Sequence, residues 1–529
     1  MQGPRKLLKK HKERVLAALP ALALGIFAVI WVIKTGTQIG PEAIVEETIA
    51  RSPSDLLWKS WVKSDFSYSS SLPQHGAWLS PFQPLLRSAL GTVGWEHWSR
   101  GNFIAISALV ASPIVLAWAV SLPSWIAAFG VFVLLLAEPT QLLNEVVLGQ
   151  STSVVLAGFF VCVGFFVRKN PRALGISLGA LVWVRWESFL LIPAFGLALL
   201  IQGLVQNRAK KKKRSEGLKK RLIGALLATA LVILPLSALS LSHGGSFWGK
   251  EQTAGWIGGR AVATRWLSES DSGWADFQQE RSLYDDYDQW TRKQWNSLIS
   301  PWIGEFWIET LTMGFIIAIG FFTALKVAAT RDLIVLAFSL MPILVSVAAA
   351  QKDLFDRRLY LPWDALLITV VMIVLNEIAS KKRLKAWIAI GALWLTWVSW
   401  SGFARTLDVF FGQSNLTPWL SGPTPGQAIA IAELNQTRET LLAAPGQGRA
   451  LAYFLRNQPI VELPMNWAQD GILDRLIERF EIRWTTIPGE LLRQKSQAHQ
   501  ISIKSAANGQ ILYRIEKTAA VTPPPVPGL

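Results

Sequence analysis

Apolar runs of membrane-crossing length, broken by short polar segments, dominate this chain from Val15 to Ser401. A helix rises 1.5 Å per residue, so about 20 apolar residues span the roughly 30 Å hydrocarbon core of a bilayer. Such runs lie at residues 15–33, 102–120, 125–137, 148–167, 173–184, 188–205, 223–241, 306–325, 333–350, 359–375 and 386–401. A chain with 51% hydrophobic residues and 26 Trp does not have the composition of a soluble protein. The pattern predicts a polytopic α-helical membrane protein of about 11 transmembrane helices.

Charge sets the expected orientation. Residues 1–14 carry Arg5, Lys6, Lys9, Lys10, Lys12 and Arg14, and read as a basic cytoplasmic N-terminus. The first apolar run lacks a small-residue cleavage site and reads as a signal anchor. After a tight inward hairpin at Ser121-Leu122-Pro123, every second break is short and basic: residues 168–172, 208–221, 326–331 and 381–385. Cytoplasmic loops of membrane proteins carry this excess of Lys and Arg. The intervening segments, above all 34–101 and 242–305, are long, mixed in sign and rich in Trp and acids, and are expected outside. The N-terminus is therefore expected inside a cell membrane and the C-terminal part outside.

The same distribution excludes other classes. A formal charge of +16 could point to nucleic acid, but the cations sit in short clusters between apolar runs rather than on one face. The one cysteine, Cys162, lies inside an apolar run and allows no intrachain disulfide. No His, Cys and Asp spacing suggests a metal site, so no cofactor is expected, although a divalent cation held by the outer acids stays open. Residues 402–521 are polar, with strand signals at 459–464, 482–487 and around the Asn508-Gly509 turn, and a helix pattern at 470–480. They predict a small extracytoplasmic α/β domain, followed by a Pro-rich tail at 522–529.

The most informative stretch is Leu181-Val182-Trp183-Val184-Arg185-Trp186-Glu187-Ser188-Phe189-Leu190. An Arg and a Glu two residues apart stand between two apolar runs, flanked by Trp. Charge at membrane depth is expensive and is retained where it pairs, turns at the surface or faces a cavity. Two readings stay open: a hairpin tip with a structural ion pair, or a cavity where a charged lipid head group is handled.

Other stretches join it in a fixed order. Gly40-Pro41-Glu42-Ala43-Ile44-Val45-Glu46-Glu47 follows the first helix, and Ser80-Pro81-Phe82-Gln83-Pro84-Leu85-Leu86 closes the first long loop. Glu138-Pro139 through Gly149-Gln150 forms a second acidic turn, ahead of an apolar helix and Arg168-Lys169-Asn170-Pro171. Arg358-Leu359-Tyr360-Leu361-Pro362 opens a late helix. In this order and on this side, the stretches resemble integral-membrane glycosyltransferases of the GT-C fold, mannosyl- or arabinosyltransferase-like, over residues 15–401.

The resemblance implies an enzyme that takes a sugar from a polyprenyl-phosphate-linked donor and moves it to an envelope glycan, lipid or protein. It implies a first-loop carboxylate as base, here Glu42, Glu46 or Glu47, with Glu138 as the second acid. The family often has Asp soon after the first helix; this chain has three Glu there, and the resemblance does not choose among them. Arg185, Arg357 and Arg358 are the expected donor-phosphate ligands, supported by Glu187, Lys250 and Arg265. Arginine forks onto phosphate oxygens, and all of the first three sit at outer helix ends. The competing readings are a transporter or flippase for lipid-linked saccharides, a polymerase or ligase of another membrane fold, and a non-catalytic scaffold. A transporter would show internal repeats and broken helices, which the sequence lacks.

Overall fold

The structure is a computed structural model. It describes residues 4–35, 62–63, 77–78, 82–90, 100–147, 149–207, 213–242, 314, 327–350, 360–379, 400, 404, 406–407, 439–443, 459–462, 472–487, 492, 499–507 and 510–517. The chain divides into two compact units. One comprises Met1–Pro53, Leu79–Trp248 and Leu283–Thr417; the other comprises Ser54–Trp78, Gly249–Ser282 and Pro418–Leu529.

The first unit is helical. Its described helices are α1 (Pro4–Thr35), α2 (Phe82–Ala89), α3 (Arg100–Val120), α4 (Ser124–Ala137), α5 (Pro139–Val147), α6 (Thr152–Val167) and α7 (Pro171–Val184). A 3-10 turn, Trp186–Leu190, leads into α8 (Leu191–Asn207). Then come α9 (Lys213–Ser242), α10 (Ala328–Ala350) and α11 (Leu361–Ala379). Among the described residues, three stretches are long and apolar enough to cross a membrane: Arg100–Val120, Glu187–Leu204 and Lys219–Ala238. Shorter apolar helices accompany them at Leu19–Lys34, Ser124–Ala137, Thr152–Val167 and Pro171–Val184. The runs expected at 306–325 and 386–401 fall almost wholly outside the described residues.

Two expectations need correction. The second acidic turn is not a loop: Pro139–Val147 is a helix, because Pro139 suits a first helical turn and Leu142, Leu143, Val146 and Val147 repeat on one buried face. The following helix accordingly starts at Thr152, not at 148. α1 runs unbroken from Pro4 to Thr35. The long first loop also contains α2, a strongly amphipathic helix.

The bundle shows an inverted surface. Leu19, Leu22, Ile26 and Ile30 of α1 and Ile223, Leu226, Leu227, Leu231 and Leu234 of α9 are exposed apolar side chains. In lipid such faces carry no penalty, and helices associate through close packing instead. Gly175 and Gly179, four residues apart on α7, supply it. A methyl group at Gly175 would collide with the Ala225 carbonyl of α9, and one at Gly179 would lie 2.6 Å from Val232 Cβ. The approach is locked by Thr229, whose hydroxyl donates to Gly175 O at 3.1 Å, and by Trp183, whose indole N–H donates to Val232 O at 2.8 Å.

Turns between helices are set locally. Asn170 caps α7, its side chain accepting from Ala173 N at 3.2 Å, with Pro171 in the first turn. A 3-10 turn replaces further α-helix after Val184 because Arg185 is extended, at φ −155° and ψ 125°.

The second unit contains a short antiparallel pair, β1 (Val62–Lys63) and β2 (Ala77–Trp78). It also contains a five-stranded mixed sheet, built from β3 (Leu441–Ala443), β4 (Ile460–Glu462), β5 (Trp484–Thr485), β6 (His499–Ala507) and β7 (Gln510–Lys517). The order is β4-β3-β5-β7-β6. β3 runs parallel to both β4 and β5, while β7 runs antiparallel to β5 and β6. The amphipathic α12 (Ile472–Arg479) makes the crossover from β4 to β5 and buries Leu473, Leu476 and Ile477 with Leu442, Val461 and Ile515. β3 had no counterpart in the sequence reading.

Candidate functional site

The site forms where two chain reversals of the helical unit meet: the turn from α5 to α6, and the 3-10 turn from α7 to α8. The first reversal is tight. Gly149 adopts φ 66°, the left-handed region that glycine enters without penalty. Its carbonyl accepts from Arg87 Nη2 of α2 at 2.5 Å. Asn102, at the start of α3, donates through Nδ2 to Val146 O and Val147 O, each at 2.7 Å. These carbonyls end α5, beyond its helical ladder; Val146 O also accepts from Gly149 N at 3.2 Å, and the buried amide completes the pair. Arg87 is 0% exposed, and Arg100 Nη1 donates to its backbone carbonyl at 2.8 Å.

That turn aims Glu145 and Thr152 at the second reversal. Thr152 Oγ1 donates to Glu145 Oε2 at 2.8 Å and accepts from Arg185 Nη1 at 3.1 Å. Arg185 Nε lies 3.1 Å from Glu187 Oε2. A continuous chain therefore runs Glu145–Thr152–Arg185–Glu187, joining α5, α6 and the 3-10 turn. Arg185 is 9% exposed. A buried guanidinium must be paired or it would be expelled, and two carboxylates with a bridging hydroxyl perform that pairing. They also fix the direction of its fork.

Arg185 opens onto a pocket. Thr152, Glu187 and Ser188 join it at the polar end. The walls are apolar: Val155 and Leu156 of α6, Leu190 and Leu191, Leu340 and Leu344 of α10, and Leu361 and Pro362 of α11. The Ser188 hydroxyl, on a residue 4% exposed, has no hydrogen-bond partner among the described residues. The polar end thus holds the Arg185–Glu187 ion pair and a hydroxyl with no partner among the described residues, above an aliphatic lining. Tyr360 seals the base of α11 against α10, its hydroxyl donating to Leu344 O at 3.2 Å.

The expected site residues distribute as follows. Arg185 and Glu187 are brought together as an ion pair, and both line the pocket. Glu138 is buried at the junction of α4 and α5, two helical turns before Glu145, and is not among the pocket-lining residues. Glu42, Glu46, Glu47, Lys250, Arg265, Arg357 and Arg358 lie outside the described residues. Leu361 and Pro362, which follow Arg357 and Arg358 by a few residues, do line the pocket. Arg87, Asn102, Glu145 and Thr152 were not singled out from the sequence. Gln83 and Arg87, four residues apart on α2, are both buried, which the sequence did not signal.

No family model matches the chain, and no curated protein matches it. Among solved structures it is similar to ArnT from Cupriavidus metallidurans in the apo state, with TM-score 0.51 and 11% identity over 93% of this chain and 97% of that one. The same protein bound to undecaprenyl phosphate aligns with TM-score 0.49 and 12% identity, over 94% of this chain and 97% of that one. The chain thus has the fold of ArnT, a polytopic helical membrane fold of the GT-C type that the ordered stretches of its sequence resemble.

Proposed function

We propose that this chain is a membrane glycosyltransferase that moves a sugar from a polyprenyl-phosphate-linked donor to a cell-envelope acceptor on the extracytoplasmic face. The observation that carries the reading is Arg185, buried, doubly held and placed at the mouth of an aliphatic pocket. In this reading the polyprenyl chain lies along the leucines of α6, α10 and α11. The donor phosphate meets Arg185 and the Ser188 hydroxyl, with Arg357 and Arg358 as further ligands.

The chemistry assigned is a single displacement. An acceptor hydroxyl attacks the anomeric carbon, the carbon–oxygen bond to the phosphate breaks, and polyprenyl phosphate leaves. Its developing charge falls on the guanidinium, which is already oriented and needs no reorganisation. The proton of the acceptor goes to a carboxylate within reach. Glu42, Glu46 and Glu47 are the candidates for that base, with Glu138 as an orienting acid. Shared fold alone does not assign an activity, so the reading stands on the pocket. The envelope is the test. A null strain rescued with the wild type, but not with Arg185→Gln, should regain one defined sugar on an envelope product. Its lipid-linked donor should accumulate in the null and in the variant. Full rescue by Arg185→Gln would overturn the reading.

A further inference from the structure

α2, late in the first long loop, is turned inside out. It spans Phe82–Ala89, and at about 100° per residue its side chains fall into two stripes. Gln83 and Arg87 form one, and both are buried. Phe82, Leu85 and Ala89 form the other, and all are exposed, Phe82 by 36% and Leu85 by 42%. Ser88 is half-buried at the edge. A single exposed Leu or Phe is ordinary on a protein surface. Here the polar stripe faces the protein and the apolar stripe faces outward, the reverse of a helix washed by water.

Where α2 is held determines what lies outside it. Arg100, the first residue of the membrane-crossing helix α3, donates from Nη1 to the Arg87 carbonyl at 2.8 Å. Gly101 lets the Arg87 guanidinium press on the same turn: a methyl group there would lie 2.6 Å from its Nη1 and 2.5 Å from Gly149 O. The last turn of α2 is therefore seated on the end of α3, at the level where α3 leaves the bilayer. Phe103, in the first turn of α3, is itself an exposed apolar side chain. Apolar side chains at that level meet the boundary between lipid head groups and acyl chains.

We infer that α2 rests on the membrane surface, with Phe82, Leu85 and Ala89 dipped into the lipid of the leaflet on the Arg185 side. Its inner stripe carries that level to the site, because Arg87 Nη2 donates to Gly149 O in the turn that leads to Thr152. The bilayer thus braces the turn between α5 and α6 from outside, through one helix. This holds whatever the Arg185 pocket binds, since it uses only the packing of α2, α3 and the Gly149 turn.

Spin labels on the full-length protein in phosphatidylcholine nanodiscs test the inference. Phe82→Cys, Leu85→Cys and Ala89→Cys are labelled one at a time; the native Cys162 is buried and does not take up the label. All of these α2 positions are exposed, so the label is accommodated without repacking. Oxygen concentrates in lipid and a nickel chelate stays in water, so the ratio of their relaxation effects reports what surrounds each label. At Phe82→Cys and Leu85→Cys that ratio should stand several-fold above the ratio at Glu478→Cys, an exposed site on α12. It should approach the ratio at Leu231→Cys, exposed on α9 within its membrane-crossing stretch. A ratio on α2 equal to that at Glu478→Cys would put water over the face and overturn the inference. Poor access for both reagents would put protein there and overturn it as well.

Discussion

Arg185 and Thr152 are 33 positions apart in the chain, yet the guanidinium of one donates to the hydroxyl of the other at 3.1 Å. Thr152 in turn donates a hydrogen bond to Glu145, so one hydroxyl links Arg185 to a buried carboxylate on another helix. Thr152→Val keeps the shape and removes both bonds. Transfer activity should fall at least tenfold, and Thr152→Ser should restore most of it. A rate assay of the three proteins on one donor preparation checks this, and a Thr152→Val enzyme at wild-type rate would remove the relay from the account.

Arg185 is held on two sides, by Thr152 at Nη1 and by Glu187 at Nε. A lysine has the charge but a single point of attachment, and cannot hold both partners while facing a phosphate. Arg185→Lys should therefore lose more than tenfold in kcat/KM. Glu187→Gln, which leaves a hydrogen-bond acceptor on Nε, should lose less. Equal activity of Arg185→Lys and wild type would show that charge alone is needed at this position.

Asn102 satisfies two terminal carbonyls of α5 and does not line the pocket. Its loss leaves the Val147 carbonyl without a donor among the described residues, while Val146 O keeps the Gly149 N–H, at a cost of about 1–3 kcal/mol. Asn102→Ala should lower the melting temperature and displace the Gly149 turn. Asn102→Asp should do worse, because a carboxylate would face two carbonyl oxygens. Thermal melting of the purified protein in detergent ranks the variants.

Gly175 and Gly179 allow α7 to touch α9. Added side chains here overpack the contact, at about 1–3 kcal/mol for each. Gly175→Ala should destabilise the protein more than Gly179→Ala, since the first drives into a backbone carbonyl and the second meets Val232 Cβ at 2.6 Å. Gly196, with open space around its α-carbon, is the control: Gly196→Leu should melt as the wild type does.

Much of the helical unit was legible because hydropathy in lipid is a strong signal. The helices at 102–120, 125–137 and 173–184 stand within two residues of the sequence reading. Arg185 and Glu187 were legible for the opposite reason, since charge between two apolar runs is conspicuous. The helix at Pro139–Val147 was not, because nine residues with an acid look like a loop in a reading that searches for 20-residue runs. Glu145 and Thr152 belong to that missed helix and its turn, and their role depends on a contact with Arg185 that no local pattern encodes. Arg87 was hidden in the same way: its value lies in reaching Gly149, 62 positions on.

The central claim is that Arg185 receives the phosphate of a polyprenyl lipid at the mouth of an aliphatic pocket. The direct test compares a polyprenyl phosphate with the matching polyprenol, which lacks the phosphate, for binding to the purified full-length protein. The wild type should prefer the phosphate form by about tenfold or more, a difference of about 1.4 kcal/mol, and Arg185→Gln should bind the two forms alike. A preference for the phosphate that survives Arg185→Gln intact would place the head group elsewhere and contradict the account.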